Sequence, residues 1–206
     1  MRLIPSLMIA AALCACGLQP IDEKKDEPAY NGFSSRQEGD TPIGQSDTYS
    51  RDEMLKEAQQ FFGNSSQGLA QAMEKAFADY GRPSAYIAGE EGGGAFFIGV
   101  RYGTGELRYR GGGAMPVYWQ GPSIGLDWGG NASKVFTLVY NLHSTYQLFQ
   151  RFPSVDGSLY VVAGVGLNYQ RSGDIVLAPI RTGVGLRAGA SLGYIDYTRE
   201  SSFNPF

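Results

Sequence analysis

The spacing of apolar residues changes once along this chain, from helical to extended, near Pro83. Before that point, apolar side chains recur every three or four residues in two runs: Met54, Ala58, Phe61 and Phe62, then Leu69, Ala72, Met73, Ala76, Phe77 and Tyr80. This period predicts two amphipathic helices at about 51–80. Ser50 with Glu53 is a capping-box pattern for the start of the first helix, and Gly81 ends the second.

After Pro83, apolar and polar residues alternate, which predicts strands. Clear examples are residues 95–102 and 106–110, and "GTG" between them is typical of a hairpin turn. Further segments of this kind give about eight to ten strands in all. Turns are expected at Asp156-Gly157 and Gly173-Asp174. A short helix is expected at 144–152, where Ser144 and Gln147 fit a capping box and Pro153 follows.

Two of the predicted strands, 159–169 and 183–194, carry glycine at alternate positions. Glycine weakens a strand unless the strand bends sharply or another backbone approaches it closely. Tight coiling of this kind predicts a mainly β fold, a small closed antiparallel β-barrel with the N-terminal helices packed against it. A barrel spanning the outer membrane is disfavoured, because the strand at 106–110 alternates Glu and Arg outward.

The N-terminus predicts export. Residues 1–15 combine a basic start with a short apolar run, as signal peptides do. "LCAC" resembles a bacterial lipobox, which would make Cys16 the site of lipid attachment, although Cys14 is unusual at its position in such a motif. An ordinary cleaved signal peptide is the alternative. Gly17 after the cysteine is not an Asp-type retention signal, so the inner face of the outer membrane is the expected location of an anchored protein.

Composition divides the remainder into a tether and a domain. Residues 16–49 are polar, with seven acidic residues against three basic ones, and are expected to be a disordered acidic tether. Residues 50–206 carry thirteen acidic and thirteen basic residues. A domain without basic excess is not expected to bind nucleic acid.

Candidate chemistry in the domain is sparse. His143 is the single histidine, and both cysteines precede the domain, so neither a catalytic triad nor a metal site is expected. No cofactor is expected either. The aromatic residues Tyr118, Trp119 and Trp128 are the speculative ligand-binding residues, with packing as the alternative.

Two other functions remain open from the residues. An apolar ligand could occupy the barrel or the groove between barrel and helices, lined by residues such as Phe96, Ile98, Trp119 and Val139. An enzyme acting on cell-wall glycan would use acidic residues: Glu90, Glu91 and Asp127. Glu90 and Glu91 are adjacent on a predicted strand, so they point to opposite faces and do not form a ready acid–base pair.

Several motifs occur in an order that resembles the envelope integrity protein A family. They are "YSRDEMLKEAQQFFGNSSQGLAQAMEKAFADYGRPSAYIAGEE", "GVRYGTGEL", "GGGAMPVYWQGPSIG", "FTLVYNL", "LFQRFPSVDGSLYVVAGVGLNY", "VLAPIRTGVGLRAGASLGY" and the terminal "NPF". The resemblance covers about residues 49–206. It implies a periplasmic β-barrel with helices, similar in its barrel to lipid-binding SYLF-type domains. It further implies a non-catalytic role in envelope integrity and stress resistance, linked to lipopolysaccharide. The expected partners are envelope components: lipid, lipopolysaccharide or envelope proteins.

Overall fold

The computed structural model describes residues 42–44, 47–63, 66–94, 98–111, 113–124, 133–182 and 193–201. The predicted signal peptide, Cys16 and nearly all of the tether lie outside these residues. The two predicted helices are confirmed as α1 (Arg51–Phe62) and α2 (Gln67–Tyr80). At the start of α1, the Ser50 hydroxyl accepts a hydrogen bond from the Glu53 amide, while the Glu53 carboxylate accepts one from the Ser50 amide. This reciprocal cap satisfies two backbone donors that a helix end otherwise leaves unpaired.

Ten strands follow in the described residues. They are β1 (Ala85–Gly94), β2 (Ile98–Tyr109), β3 (Gly113–Ile124), β4 (Ser133–Tyr140), β5 (Arg151–Pro153), β6 (Tyr160–Val162), β7 (Val165–Leu167), β8 (Gln170–Ser172), β9 (Ile175–Thr182) and β10 (Tyr194–Thr198). The predicted helix at 144–152 is only a short 3₁₀ turn, Thr145–Leu148. Pro153 does not end it, because Pro153 lies within the short strand β5.

The strands form one antiparallel sheet in the order β5-β10-β3-β2-β1-β4-β9-β7-β6, with β8 also paired to β9. The prediction of a closed barrel is wrong, because this sheet is an open half-barrel. The hydrogen-bonded path begins at β5 and ends at β6, and no ladder joins those two strands in the described residues. A single isolated bridge, Ser154 to Gln170, connects the end of β5 to β8, and we call this contact the seam.

The sheet has an apolar core on each face. On the helix face, α1 and α2 pack over side chains of β1, β4, β7 and β9. The inner face draws buried side chains from seven strands: Ala85, Ile87, Leu107, Val117, Trp119, Val135, Val139, Phe152, Ile175, Leu177, Ile195 and Tyr197. Alternation along each strand explains the division, since neighbouring residues point to opposite faces.

The predicted hairpin turn at "GTG" is wrong, because β2 runs straight through Gly103, Thr104 and Gly105. These glycines are required by a close approach instead of a turn. A Cβ atom at Gly103 would lie inside the indole ring of Trp119, and one at Gly105 would collide with the carbonyl oxygen of Ala88. The turn between β2 and β3 comes later, after Tyr109, which pairs with Gly113.

Residues 159–169 are also not one strand. They form a tight hairpin in which β6 and β7 pair from Tyr160↔Leu167 to Val162↔Val165. The two loop residues, Ala163 and Gly164, have φ of 46° and 78°. Positive φ at both positions is the signature of a type I′ turn, which matches the twist of its strands. The turns at 156–157 and 173–174 are confirmed. In the second glycine-rich segment, residues 183–192 lie outside the described residues.

Candidate functional site

A buried carboxylate lies on the inner face of the sheet. Glu91 is on β1, in register with Gly103 of β2, which is in turn in register with Trp119 of β3. The Trp119 indole crosses over Gly103 and donates from Nε1 to Oε2 of Glu91 at 3.4 Å. Glycine on the middle strand therefore lets a side chain of β3 reach one of β1.

Two arginines flank this carboxylate. Arg181 of β9 donates from Nε to Oε1 of Glu91 at 2.5 Å and from Nη2 to Oε2 at 3.2 Å, a two-pronged contact. The Nη1 atom of Arg101, on β2, lies 3.9 Å from Oε2 of Glu91. The side chains of Glu91 and Arg101 are 9% and 10% exposed, so this is a nearly dry ionic cluster.

The charges determine the protonation state of Glu91. Burial raises the pKa of Glu91, since it disfavours the charged form, but Arg181 and Arg101 outweigh burial and lower that pKa to about 2. Hydrogen bonds from Arg181 and Trp119 act in the same direction. Glu91 is therefore an anion at neutral pH. It can orient cations and hydrogen-bond donors, but it holds no proton to give to a substrate.

The cluster extends toward the sheet end through Arg181, whose Nη1 donates to Oδ1 of Asn168 at 2.9 Å. On the opposite side, the ring of Tyr197 packs against Trp119 with centroids 5.9 Å apart. Burial raises the pKa of Tyr197, so its hydroxyl remains protonated. Glu91 and its partners thus join β1, β2, β3 and β9 through ion pairs and hydrogen bonds. Holding these strands together is the role that the geometry supports directly.

Two of the three predicted ligand-binding aromatics, Tyr118 and Trp119, do not share a surface. Trp119 is buried, with 4% of its area exposed. Tyr118, its neighbour on β3, points to the opposite face of the sheet and is half-buried. Trp128 lies outside the described residues. A single stacking platform from Tyr118 and Trp119 is therefore excluded by strand geometry, while their individual roles stay predictions.

The other candidates are similarly separated. Glu90 is exposed, on the face opposite to Glu91, as the strand period predicts. His143 is exposed in a loop, and its backbone amide donates to the side-chain oxygen of Gln147. Asp127 and Phe96 lie outside the described residues, as does the side chain of Ile98. Across the part of the chain that the structure describes, no group of three His, Cys, Asp or Glu side chains could hold a metal ion.

Sequence reasoning missed Arg101, Arg181 and Asn168. A signal existed for Arg181. In "VLAPIR", Leu177 and Arg181 have the same parity, so a charge enters a buried row. A charge in such a row requires a partner.

A second feature is a cleft of about 260 Å³ on the helix face, between α1 and strands β1, β2 and β4. Its wall contains apolar side chains beside polar ones: Glu57, Gln60, Phe61, Tyr86, Ala88, Arg108 and Phe136. Tyr86 and Phe136 are stacked with ring centroids 5.1 Å apart, and the Tyr86 hydroxyl donates to Glu57. Tyr86 and Phe136 are buried, Phe61 and Glu57 are half-buried, and Gln60 and Arg108 are exposed.

These features define a class of protein: a mainly β half-barrel with two N-terminal helices on one face and an ion cluster on the other. None of the helices in the described residues is both long enough and apolar enough to cross a membrane. The family model of envelope integrity protein A matches residues 47–206. The chain belongs to the envelope integrity protein A family.

Comparison with solved structures agrees with this assignment. The chain is similar to a β-barrel-like, uncharacterized protein from Brucella abortus whose crystal structure is known, with 47% sequence identity and a TM-score of 0.71. The similarity covers 77% of this chain and 99% of that chain. A search of curated proteins found no match.

Proposed function

We propose that this is a non-catalytic periplasmic protein that supports the integrity of the cell envelope in a Gram-negative bacterium, through the outer membrane or its lipopolysaccharide. The observation that carries this proposal is the family match over residues 47–206. The inner-face cluster agrees with it, because Glu91 is held as an anion by two arginines and serves to join strands. A general acid of a glycan hydrolase needs a raised pKa, the opposite of what this site provides.

Membrane attachment through Cys16 is the second part of the proposal. The family match begins at residue 47, so the lipobox-like motif and the acidic segment after it precede the matched domain. A tether of about thirty residues would let the half-barrel reach envelope components while its N-terminus remains in the lipid. We place the protein at the inner face of the outer membrane.

The test of the envelope role is a deletion strain complemented in turn with the wild-type gene and an empty vector. We expect the deletion to increase sensitivity to detergents and cell-wall antibiotics and to alter the lipopolysaccharide profile on gels. Complementation should restore both. Normal resistance in the deletion strain would refute the proposed role.

The anchor has its own test, which leaves the domain unchanged. Cys16→Ser should move the protein from the membrane fraction to the soluble periplasm, with Cys14→Ser as the matched control that leaves partitioning unchanged. If Cys16→Ser still sediments with membranes, the lipid anchor is refuted, and the envelope role is tested separately by the deletion strain.

Binding of a lipid or other apolar ligand is the second candidate, and the helix-face cleft is the observation that favours it. Its volume, about 260 Å³, lies just below the range of about 300–1,000 Å³ that is usual for small-ligand sites. The inner face offers less room, since Val139 and Trp119 are buried in a packed cluster. Native mass spectrometry of the full chain purified from envelopes would detect a co-purifying ligand. A bare protein mass that stays bare after added lipid would refute this candidate.

A further inference from the structure

Three polar side chains near the seam each have a buried nitrogen or oxygen atom without a hydrogen-bond partner in the described residues. Gln170 has no exposed surface, and neither its Oε1 nor its Nε2 has a partner in the described residues. Oγ of Ser154, a half-buried residue, and Nδ2 of Asn168, a residue that is 6% exposed, are likewise buried atoms without a partner in the described residues. Buried polar atoms in proteins are nearly always paired, so three such groups together require an explanation.

Their positions bring them to one place. Ser154 and Gln170 are the two residues of the isolated bridge that forms the seam. Gln170 is in register with Leu177, an inner-face residue, and directly opposed residues share a face. Asn168 precedes Gln170 by two residues. Its Oδ1 is occupied by Arg181, which leaves its amino group as a donor.

The backbone here is already well connected, so the unpaired groups do not reflect a loose loop. The Val155 amide donates to the Tyr169 carbonyl at 2.9 Å, and the Ser158 hydroxyl accepts from the Tyr169 amide at 3.0 Å. The Ser154 amide donates to the Gly193 carbonyl at 2.8 Å. The seam therefore has fixed backbone geometry, with uncharged donors and acceptors arranged beside it.

The chemistry of these groups selects their ligand. A carboxamide donates through nitrogen and accepts through oxygen, and a serine hydroxyl does both. None of the three side chains is charged, and the guanidinium of Arg181, which contacts Asn168, is already paired with Glu91, so an ion would lose hydration without gaining an uncommitted counter-charge. A hydroxyl group, which also donates and accepts, matches the whole set.

We propose that Ser154, Asn168 and Gln170 form a hydroxyl-binding site inside the half-barrel, in which the bound hydroxyls link β5 to β8 across the seam. Water is one source of hydroxyl, since a buried water usually makes about three hydrogen bonds. The hydroxyl of a saccharide is the other source. The site is independent of the envelope role proposed above, and its test does not depend on that role.

The first measurement is made on the ¹⁵N-labelled full chain, through the side-chain NH₂ signals of Gln170 and Asn168. If the site holds water, both groups show cross-relaxation with long-lived bound water. Gln147, which is exposed, provides the control signal for ordinary surface hydration. Saccharide is then added as glucose and as N-acetylglucosamine. A saturable movement of the Gln170 signal identifies a saccharide hydroxyl as a ligand, and an unmoved signal together with bound-water cross-relaxation assigns the hydroxyl to water.

The second measurement uses variants. Gln170→Met and Ser154→Ala each remove a hydrogen-bond partner of the bound hydroxyl. Each variant should therefore have a melting temperature at least about 2 °C lower than the wild type. The double variant should lose less than the sum of the two, because both residues hold the same ligand. Leu177→Met, at the register partner of Gln170, controls for altered packing.

The opposite result would overturn the proposal. An unoccupied site contains polar groups with nothing to bind, so replacing them by apolar side chains would raise the melting temperature. Absence of bound-water cross-relaxation at Gln170, no response to either sugar, and a more stable Gln170→Met variant together would show that the site holds no hydroxyl.

Discussion

Replacing Glu91 with glutamine keeps the size of the side chain and removes its charge. In the wild-type protein, one oxygen of this carboxylate accepts from Nε of Arg181 at 2.5 Å, and the other accepts from Arg181 and Trp119. A glutamine oxygen could keep one of these hydrogen bonds. Its amino group would face the donors of Arg181 and Trp119, and the buried Arg101 and the partly buried Arg181 would lose their shared anion.

The expected cost follows from this burial. An exposed ion pair contributes about 0–1 kcal/mol, whereas removing one partner of a buried pair costs about 3–5 kcal/mol. The Glu91 side chain is 9% exposed and that of Arg181 is 18% exposed, so the second range applies. For a domain of this size, each 1 kcal/mol lowers the melting temperature by about 2–4 °C. We therefore expect Glu91→Gln to melt roughly 6–20 °C below the wild type.

The assay is thermal and urea unfolding followed by far-ultraviolet circular dichroism on the purified protein. Glu90→Gln is the matched control, because it makes the same chemical change one residue away on the exposed face. The control should stay within about 0.5 kcal/mol of the wild type. If the two variants unfold together, the cluster does not join the strands as argued, and the account of the inner face is wrong.

Three further predictions concern other parts of the domain. Gly103→Ala should cost about 1–3 kcal/mol in urea unfolding, since its methyl group would enter the Trp119 ring, whereas Gly92→Ala, with open space around it, should be neutral. Because the folded-state pKa of Glu91 is lowered from 4.5 to about 2, its contribution to stability is present above pH 4.5 and lost as the pH falls toward 2. Melting temperatures should accordingly fall more steeply over that window in the wild type than in Glu91→Gln, and equal slopes would contradict the assignment. Ser50→Ala should destabilise by about 1 kcal/mol in the same urea assay through loss of the α1 cap, and an unchanged midpoint would show that the cap contributes nothing.

The helices were predictable because their signals are local. The capping box of Ser50 and Glu53 lies within one turn, and the apolar stripe of α2 repeats every three or four residues. The same holds for the turns at 156–157 and 173–174. In each case, the residues that determine the conformation are neighbours in the chain.

The glycines were misinterpreted because their reasons are distant. Gly103 appeared to mark a turn, yet it lies within β2 because Trp119, sixteen residues further on, needs the space above it. Gly164 was assigned to the middle of a strand, but with Ala163 it forms a type I′ turn. Glycine signals an unusual backbone or a close contact, and the sequence does not tell the two apart.

The candidate site shows the same limit. Period-two alternation correctly placed Glu90 and Glu91 on opposite faces, and the structure shows that Glu91 is the inward one. Its partner, Arg181, lies ninety residues away in the sequence. Arg181 reaches Glu91 because a single strand, β4, lies between β1 and β9 in the sheet. Strand order is a property of the whole sheet, and no local pattern encodes it.

The sequence by itself therefore determined the two capped helices, the change to strands after Pro83 and the resemblance to a family, since each depends on neighbouring residues or on motifs in order. The tertiary structure decided that the sheet stays open, that Trp119 is a buried donor to Glu91, and that Ser154 and Gln170 meet at the seam. The physical reason is that these features arise from strand pairing and burial between distant segments. A polar side chain takes on a role only once folding removes it from water and determines which groups surround it.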